Sequence, residues 1–331
     1  MARAPTTSKP APLHVVVGAG QIGRQLAEVL AGQGKAVRLV RRGPAGEASP
    51  GIEWMRGDIT EPEFADAVCR GAAVVYNTAN PPDYASWGER LLPLYRAVRD
   101  AAARAGARLV QLDNLYMYGR PERAPFDEDT PVRPCSAKGA LRAAWAEELL
   151  ASHARGDVQV SVGRASDYFG PKTPNTAVFR PDAFSRLLAG KAVYMVGGDP
   201  DMPHSYSYSP DVAHALSVLG EREEAIGRVW HLPTAAQEST RQLFSRFAAQ
   251  AGVDLRIRVV PKWALRGIAI ASPMARSLLE MVYQWELPYL IDDRRFCETF
   301  GVAATPVDEA VAATLADYLG QDRAGGQARA A

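Results

Sequence analysis

A glycine-rich turn near the start of the chain is the feature that most constrains its fold. An apolar strand pattern at residues 14–17 leads directly into Gly18, Gly20 and Gly23, which have the spacing Gly-x-Gly-x-x-Gly, and a helical pattern follows at once. Gly18 permits a tight turn, Gly20 lets the backbone approach a pyrophosphate, and Gly23 lets the helix pack closely on the strand. The helix N-terminus adds N–H groups and a positive dipole end. The turn therefore predicts a dinucleotide-binding site.

The chain alternates short β-branched runs with longer amphipathic stretches from residue 13 onward. This alternation is typical of βαβ units, whose helices connect the strands of a parallel sheet. We expect an α/β fold, a Rossmann-type doubly wound parallel sheet with a smaller C-terminal α/β substrate-binding region. The pattern predicts strands at residues 13–17, 36–40, 52–56, 72–77, 108–112 and 158–162. It predicts helices at residues 21–31, 61–69, 86–105 and 136–153.

The pattern loosens after residue 165, where loops carry glycine, proline and aromatic residues between shorter elements at 210–219, 228–231 and 240–251. The last twelve residues, largely Gly, Ala, Gln and Arg, have little to bury. The expected divisions are a disordered leader at 1–12, a dinucleotide-binding domain at 13–165, a mainly substrate-binding region at 166–319 and a flexible tail at 320–331.

The end of the second predicted strand favours a phosphorylated dinucleotide. An Asp or Glu at this position usually accepts hydrogen bonds from the ribose of NAD, but the sequence has Arg41 and Arg42. Two guanidinium groups there can bind the 2′-phosphate of NADP(H), with an exposed arginine pair as the alternative. Asp58 is placed to contact adenine or to serve as a helix N-terminal acid. The predicted cofactor contacts are Gly18, Gly20, Gln21, Ile22, Gly23, Arg41, Arg42, Asp58 and Ile59, and the predicted cofactor is NADP(H).

Composition narrows the class of partner. A formal net charge of +1 without a basic run argues against nucleic acid, and three separated cysteines and five histidines show no metal-ligand spacing. The most hydrophobic stretch, residues 263–289, is interrupted by charges and prolines, which argues against a membrane span. No signal peptide pattern is recognisable in residues 1–12. We expect a cytoplasmic protein with a small-molecule partner and neither a metal, a nucleic acid nor a membrane.

The chain resembles the extended short-chain dehydrogenase/reductase superfamily, in its epimerase/dehydratase-like, atypical form, from about residue 13 to 318. The resemblance rests on the glycine-rich turn, on Gly57-Asp58, and on three later segments at residues 112–119, 163–171 and 206–213. It implies the Rossmann-type fold, a bound nicotinamide dinucleotide and a possible homodimer, because helices like those at 86–105 and 136–153 often pair in this family.

The catalytic residues of that family are altered here. Its members carry Ser or Thr where this chain has Asn114, and a Tyr-x-x-x-Lys pair on the next helix, where no Tyr stands four residues before Lys138. In one register Lys138 is the family lysine, and Pro134 replaces the tyrosine. In the other, Lys138 and Arg142 replace the tyrosine and the lysine, keeping the i, i+4 spacing that places both on one helical face. The second register fits better how the helix continues.

A proton donor is still needed if hydride reaches a carbonyl carbon. The candidates are Tyr116, Tyr118 and Lys138, with the Asn114 amide as an oxyanion partner, and the alternative is that both tyrosines only pack. The resemblance places Tyr116 where the dehydratases have an acid. The predicted catalytic residues are Tyr116, Lys138 and Asn114, and Arg142 joins the predicted cofactor contacts.

Substrate contacts are implied by the same resemblance. The loop after the sixth strand and the segment before the helix at 210–219 supply them, and His204 replaces the arginine that commonly holds a diphosphate. The predicted substrate contacts are Tyr118, Asp167, Tyr168, His204 and Tyr206. A Met- and aromatic-rich stretch at residues 263–285 lines an apolar pocket or packs against other surfaces.

These features lead to an NADPH-dependent reductase of a small, fairly apolar carbonyl or unsaturated compound. One alternative is an epimerase, dehydratase or lyase that retains NADP. The other is a non-catalytic NADP(H)-binding sensor or scaffold, which the missing Tyr-x-x-x-Lys pair keeps open.

Overall fold

The structure is a computed structural model that describes residues 12–174 and 176–330. The strands are, in chain order, β1 (Leu13–Val17), β2 (Ala36–Arg41), β3 (Ile52–Arg56), β4 (Ala72–Asn77), β5 (Arg108–Asp113), β6 (Val160–Arg164), β7 (Asp167–Phe169), β8 (Val193–Val196), β9 (Pro203–Tyr208), β10 (Arg228–His231), β11 (Ala236–Ser239) and β12 (Ile257–Val260). The helices are α1 (Gln21–Gly32), α2 (Pro62–Cys69), α3 (Trp87–Arg104), α4 (Ala137–Ala154), α5 (Pro181–Leu188), α6 (Ser209–Glu221), α7 (Thr240–Ala251), α8 (Lys262–Ala271), α9 (Pro273–Met281), α10 (Arg294–Phe300) and α11 (Val307–Ala330).

The main sheet of the described chain has seven strands in the order β10-β6-β5-β4-β1-β2-β3, and every neighbouring pair is parallel. Helices cover both faces, because these strands are apolar on both sides. On one face α2, α3 and α4 bury Val68, Leu91 and Trp145 against the sheet. On the other, α1 and α6 bury Leu26 and Leu216. The expected Rossmann-type fold is confirmed.

The predicted strands match in position except at β6, which begins two residues later than predicted and runs through Arg164. Arg164 can occupy a fully buried strand position because its guanidinium is bonded. Its Nη1 donates to the Tyr118 hydroxyl at 2.6 Å, and its Nε lies 3.9 Å from Asp113 Oδ2. A buried arginine with polar partners thus prolongs the strand beyond the apolar run of its sequence.

The second half of the chain does not form a separate layer. Strand β10 completes the main sheet beside β6, and α6 packs in the same core as α1, although both follow residue 165. The remaining strands form a three-stranded sheet, β11-β9-β7, and a two-stranded sheet, β12-β8. An aromatic core that includes Phe179, Phe184 and Phe247 joins them to α5, α7 and α11. Along the second half of the chain, segments of the smaller sheets therefore alternate with segments that belong to the main sheet and its core.

The structure describes the C-terminal helix but almost none of the predicted leader. Helix α11 continues to Ala330 through most of the segment predicted as a flexible tail, since Ala, Gln and Arg are strong helix formers. The predicted leader at 1–12 lies outside the described residues except for Pro12. Among the described helices, none combines the length and the apolar character that crossing a bilayer requires.

Candidate functional site

A cavity of about 850 Å³ lies at the carboxyl ends of β1, β2 and β4. The strand order reverses between β1 and β4, and ligands of open α/β sheets bind in the crevice at such a point. The predicted cofactor contacts that line it are Gly18, Gly20, Gln21, Ile22, Arg41, Arg42, Asp58 and Ile59. One continuous wall thus includes these eight residues.

The three glycines of the turn have different structural roles. Gly18 has a φ of +102°, and a Cβ there would lie 2.7 Å from the Ala79 backbone. A Cβ on Gly23 would lie 1.8 Å from the Gly18 carbonyl oxygen, because helix and turn are in direct contact. A Cβ on Gly20 would meet nothing within 4 Å, so Gly20 borders open space at the N-terminus of α1. The backbone is shaped for a pyrophosphate at that helix end.

Arginines and one carboxylate lie at the far end of this cavity. Arg42 Nη1 is 3.9 Å from Asp58 Oδ2, and both side chains are largely exposed. Burial would raise the pKa of Asp58, but hydrogen bonds from the Thr60 backbone and hydroxyl outweigh it and hold the pKa below its ordinary value. Three arginines, Arg41, Arg42 and Arg90, line this cavity, and the charges of Arg42 and Arg90 also lower the pKa of Asp58.

A second cavity of about 640 Å³ adjoins the first. The two share the lining residues Gln21, Asn80, Pro81, Pro82, Leu112 and Tyr168. Much of the rest is apolar, including Trp87, Met195, Met274, Leu278, Met281 and Trp285. Its polar lining includes Asn114, Tyr116, Arg142, Asp167 and Arg180. The arrangement is a nucleotide-sized cavity opening into an amphipathic one.

Arg142 is the buried cation of the junction. Its Nη2 donates to Asn80 Oδ1 at 2.7 Å, and its Nη1 donates to the Tyr95 hydroxyl at 2.6 Å and to Asp113 Oδ1 at 3.0 Å. Its guanidinium also lies 4.5 Å from the centre of the Trp87 ring. Arg142 lines the second cavity and does not line the first, so its contact with a cofactor would be made at the junction.

The Lys138 side chain points to Glu280 and lines neither cavity. Helix α4 begins after Ser136, whose hydroxyl accepts from the Gly139 N–H. Lys138 Nζ donates to Glu280 Oε2 at 2.5 Å, and the Lys138 N–H donates to Glu280 Oε1 at 3.0 Å. The side chain is 7% exposed and lines neither cavity. The Lys138 ammonium is therefore paired with Glu280 of α9, and its catalytic role stays a prediction.

Tyr116 and Asn114 do line the second cavity. The Tyr116 hydroxyl lies 2.9 Å from that of Tyr84, and its ring stacks on Trp87. Burial raises the pKa of Tyr116 well above its ordinary value, and nearby Tyr84 and Asp167 raise it further, so the phenol is protonated at neutral pH. The Asn114 carboxamide oxygen accepts from the Tyr116 N–H at 3.1 Å, which fixes the turn that presents Tyr116.

The Tyr118 hydroxyl is bonded within the protein core. It is 1% exposed and lines neither cavity. Its hydroxyl accepts from Arg164 and lies 2.8 Å from His231 Nε2. Burial, aided by the Arg164 charge, lowers the pKa of His231 to about 3, so this imidazole is neutral and accepts the tyrosine proton. In this structure Tyr118 is bonded to Arg164 and His231, and its contact with substrate stays a prediction.

The other four predicted substrate contacts lie at different depths behind the cavity surface. Asp167 and Tyr168 line the second cavity. His204 is fully buried behind Asp167, with its Nε2 at 2.8 Å from Asp167 Oδ2. Tyr206 is also fully buried, and its hydroxyl lies 2.6 Å from that of Thr240. Of these, Asp167 and Tyr168 are placed to touch a substrate, while His204 and Tyr206 support the wall from behind.

Sequence reasoning missed Asn80, Tyr84 and Glu280. Asn80 follows β4, and its place just beyond a strand at the switch point was a usable signal. Tyr84 lies in a short 3-10 turn, and Glu280 comes from α9, about 140 residues after its partner. Pairings of such sequence separation leave no local pattern. Of the described residues, no three or more His, Cys, Asp or Glu are grouped to hold a metal ion.

Comparison with known proteins bears on these cavities. Residues 14–232 match the family model described as the NAD dependent epimerase/dehydratase family. Over 157 residues the chain is 29% identical to a dTDP-glucose 4,6-dehydratase of Streptomyces griseus, covering 47% of each protein. The chain spans about half the length of the first curated relatives it matches.

Solved structures show the same fold over nearly the whole chain. One is a double mutant of the dTDP-glucose 4,6-dehydratase from Streptomyces venezuelae with NAD bound, at a TM-score of 0.75 and 19% identity, covering 92% of this chain and 96% of that one. Another is the UDP-glucose 4-epimerase of Thermus thermophilus in complex with NAD, at a TM-score of 0.73 and 19% identity, covering 93% and 99%. At these identities the likeness concerns the fold.

Proposed function

The chain belongs to the NAD-dependent epimerase/dehydratase family, and from that premise we propose an enzyme that exchanges hydride between a bound nicotinamide dinucleotide and a small molecule. The observation that carries the proposal is the junction of the two cavities. A dinucleotide with its pyrophosphate at Gly20 would extend along the shared wall of Asn80 and Leu112 toward the second cavity. Its reactive end would then face the polar groups Tyr116, Arg142 and Asp167.

The residues present fit such a cofactor. The contact of Gly23 with Gly18 and the open space at Gly20 form a cradle that a side chain at Gly23 would destroy. When bound, the dinucleotide supplies the hydride donor or acceptor. The chain's own contribution is to bind and orient the cofactor and to exclude water: Arg142 holds a fixed positive charge at the junction, and the Trp87 ring covers it.

We propose NADP(H) as the preferred cofactor. Arg41 and Arg42 line the cavity next to β2, where charge-assisted bonds to a 2′-phosphate are available. The solved relatives with NAD bound share only the fold at their level of identity, so their cofactor does not fix the choice here.

The substrate would be compact and largely apolar, with an alcohol or carbonyl at its polar end. The second cavity combines Met, Leu and aromatic side chains with few charges. Its wall includes Tyr194, Met274 and Leu278, which are between 38% and 49% exposed, so the cavity opens to solvent along an apolar rim. Arg180 also lines this cavity, and its Nε and Nη2 donate to the Asp182 carboxylate.

Family membership favours a reaction that retains its cofactor, as in epimerisation or dehydration, where hydride removed early is returned later. A second candidate, net reduction by NADPH, is favoured by one observation. The buried Tyr116 phenol is protonated and therefore suited to stabilise an oxygen that gains charge as hydride arrives.

The experiment compares product formed with dinucleotide consumed on a panel of apolar alcohols and ketones. Product far in excess of consumed NADPH supports the cofactor-retaining reaction, and a one-to-one ratio supports the reductase. Tight dinucleotide binding without turnover on either class would leave a sensor or scaffold as the function. If calorimetry detected binding of neither NADPH nor NADH, the whole proposal would be wrong.

A further inference from the structure

Behind the wall of the second cavity lies a histidine with no solvent contact. His204 is 0% exposed, and its ring stacks on that of Trp285 with centres 5.0 Å apart and planes 7° apart. Its Nε2 lies 2.8 Å from Asp167 Oδ2, and its Nδ1 lies 3.3 Å from the Gln284 carbonyl oxygen. Both ring nitrogens therefore face an oxygen.

Neither of these two oxygens normally donates a hydrogen bond. A backbone carbonyl only accepts, and an ionised carboxylate only accepts. A neutral imidazole has one N–H, so it can satisfy one of the two contacts while its other nitrogen opposes a lone pair. The arrangement is satisfied if His204 is an imidazolium beside an Asp167 carboxylate, or if a protonated Asp167 donates to a neutral His204. In both cases the pair holds one proton more than a neutral histidine and a carboxylate.

His231 provides the contrast within the same molecule. It is equally buried, but one of its nitrogens faces the Tyr118 hydroxyl, which can donate, and the other faces the Asp292 carbonyl oxygen. A neutral ring satisfies both of those partners. The two histidines therefore differ in their partners and not in burial: only the partners of His204 would both be satisfied by one additional proton.

We propose that the Asp167–His204 pair is the proton donor and acceptor of this site, in place of the tyrosine that the chain lacks. The inference rests on the proposed function. Asp167 is the catalytic residue, because its carboxyl group lines the second cavity with Tyr116 and Arg142. His204 is the positioning residue, held by Trp285 and the Gln284 carbonyl and sharing the proton that Asp167 delivers.

The proton balance follows from the two states of the pair. As hydride reaches a carbonyl carbon, the C=O π bond breaks, and the oxygen takes the proton of the pair to become a hydroxyl. The pair is left as a carboxylate and a neutral imidazole. In the opposite direction, an alcohol loses hydride from carbon to the oxidised dinucleotide and gives its hydroxyl proton to the deprotonated pair. Each direction is complete without a further acid or base.

This balance predicts opposite pH dependences. Reduction needs the protonated pair, so its rate should fall as pH rises, whereas oxidation needs the deprotonated pair, so its rate should increase. Burial raises the pKa of five tyrosines in the surroundings of Asp167, so they stay neutral at neutral pH: Tyr84, Tyr116, Tyr206, Tyr283 and Tyr289. Burial likewise raises the pKa of Tyr168. The cations Arg142 and Arg180 line the same cavity and remain charged.

The first test needs no substrate. NMR of protein with ¹⁵N-labelled histidine should show both ring nitrogens of His204 in a protonated or proton-sharing state at neutral pH, while His231 shows a neutral ring. Asp167→Asn should convert His204 to a neutral ring and leave the His231 signal unchanged. A neutral His204 insensitive to Asp167→Asn would overturn the proposal.

The second test uses the substrate found for the wild-type enzyme. Asp167→Asn should lower kcat for reduction by about 10²–10⁴-fold and remove its pH dependence, with unchanged NADPH affinity, since loss of a general acid has that size. Asp167→Glu should recover part of the rate, and Asp201→Asn, at an exposed carboxylate paired with Arg241, should behave as wild type.

A wild-type enzyme that turns over, together with an Asp167→Asn variant of unchanged rate and pH profile, would refute the pair as proton donor and leave the proposed function intact. A wild-type protein without turnover would instead refute the proposed function, and the NMR result would still report whether the extra proton exists. His204→Gln provides a second variant: it should lose the pH dependence as Asp167→Asn does.

Discussion

The first and the second cavity share part of a wall, but the chain builds them by different means. Around the first, the shape comes from backbone: glycines at the end of β1, and the N-terminus of α1. Around the second, it comes from side chains that meet from distant segments, such as Arg142 of α4 with Asn80 after β4. A short glycine-rich turn, Gly18 to Gly23, defines the first cavity in the sequence, whereas no short segment defines the second.

This difference has an energetic consequence. A backbone-built cavity depends on the absence of side-chain atoms, so it is damaged by adding volume. A cavity built from buried polar side chains depends on every partner being present, because an unpaired buried charge is costly. Variants of each kind should therefore break one cavity while leaving the other measurable.

The largest effect is expected for Arg142→Met. The substitution would leave the Asp113 carboxylate, which is 0% exposed, without its 3.0 Å partner, and breaking a buried pair from one side costs about 3–5 kcal/mol. The free energy of unfolding from urea titration should fall by that amount. Arg142→Lys, which keeps the charge but not the three-way bonding to Tyr95, Asp113 and Asn80, should lower it by less.

Asp113→Asn provides the matched control. Combined with Arg142→Met it removes both charges of the pair but leaves the buried Arg164 guanidinium, 3.9 Å from Asp113 Oδ2, without its carboxylate, so the double variant should be no more stable than Arg142→Met alone. If Arg142→Met were as stable as wild type, the junction would not depend on this pair, and the contrast between the cavities would lose its basis.

The next effect is expected for Gly23→Ala. The new Cβ would lie 1.8 Å from the Gly18 carbonyl oxygen and 2.5 Å from Thr78 Oγ1, so backbone must move. Overpacking of this kind costs about 1–3 kcal/mol, and the displaced turn should also lose dinucleotide affinity. Thermal unfolding with and without NADPH measures both.

Substitutions at two glycines, one before α1 and one at its end, distinguish an effect on folding from an effect on dinucleotide binding. Gly20→Ala meets nothing within 4 Å, so it should leave the thermal midpoint of the free protein near wild type and reduce only the shift that NADPH produces. Gly32→Ala, at the far end of α1 and also in open space, should lower neither quantity. A Gly20→Ala protein that binds NADPH normally would show that the pyrophosphate lies elsewhere.

The same difference explains how far sequence reasoning reached. The parallel sheet followed from alternating runs, and the cofactor turn from Gly18, Gly20 and Gly23, because both are local patterns with a geometric cause. The return of β10 to the main sheet was not anticipated, since nothing in Arg228–His231 distinguishes an edge strand of one sheet from that of another.

The substrate side exposed the limits of local patterns. Lys138 has the right residue type and helical spacing, yet its ammonium is bound by Glu280 on α9. Tyr118 stands two residues from Tyr116, but Tyr118 is held by Arg164 and His231 while Tyr116 lines the cavity. The tertiary structure, and not the local sequence, determines which of these two tyrosines lines the cavity and which is bonded inside the core.

The smallest effect tests the end of the first cavity, where side chains rather than backbone are proposed to select the cofactor. Arg41→Ala should weaken NADPH binding about tenfold, about 1.4 kcal/mol, and leave NADH binding nearly unchanged, because the guanidinium is assigned to the 2′-phosphate. Arg56→Ala, an exposed cation of β3 that lies outside the cavity lining, controls for the loss of one positive charge. Calorimetry on the four combinations of the two variants with the two dinucleotides measures the difference. If both variants lost the same NADPH affinity, the preference would come from the overall charge of the protein. No side chain lining the first cavity would then select the cofactor.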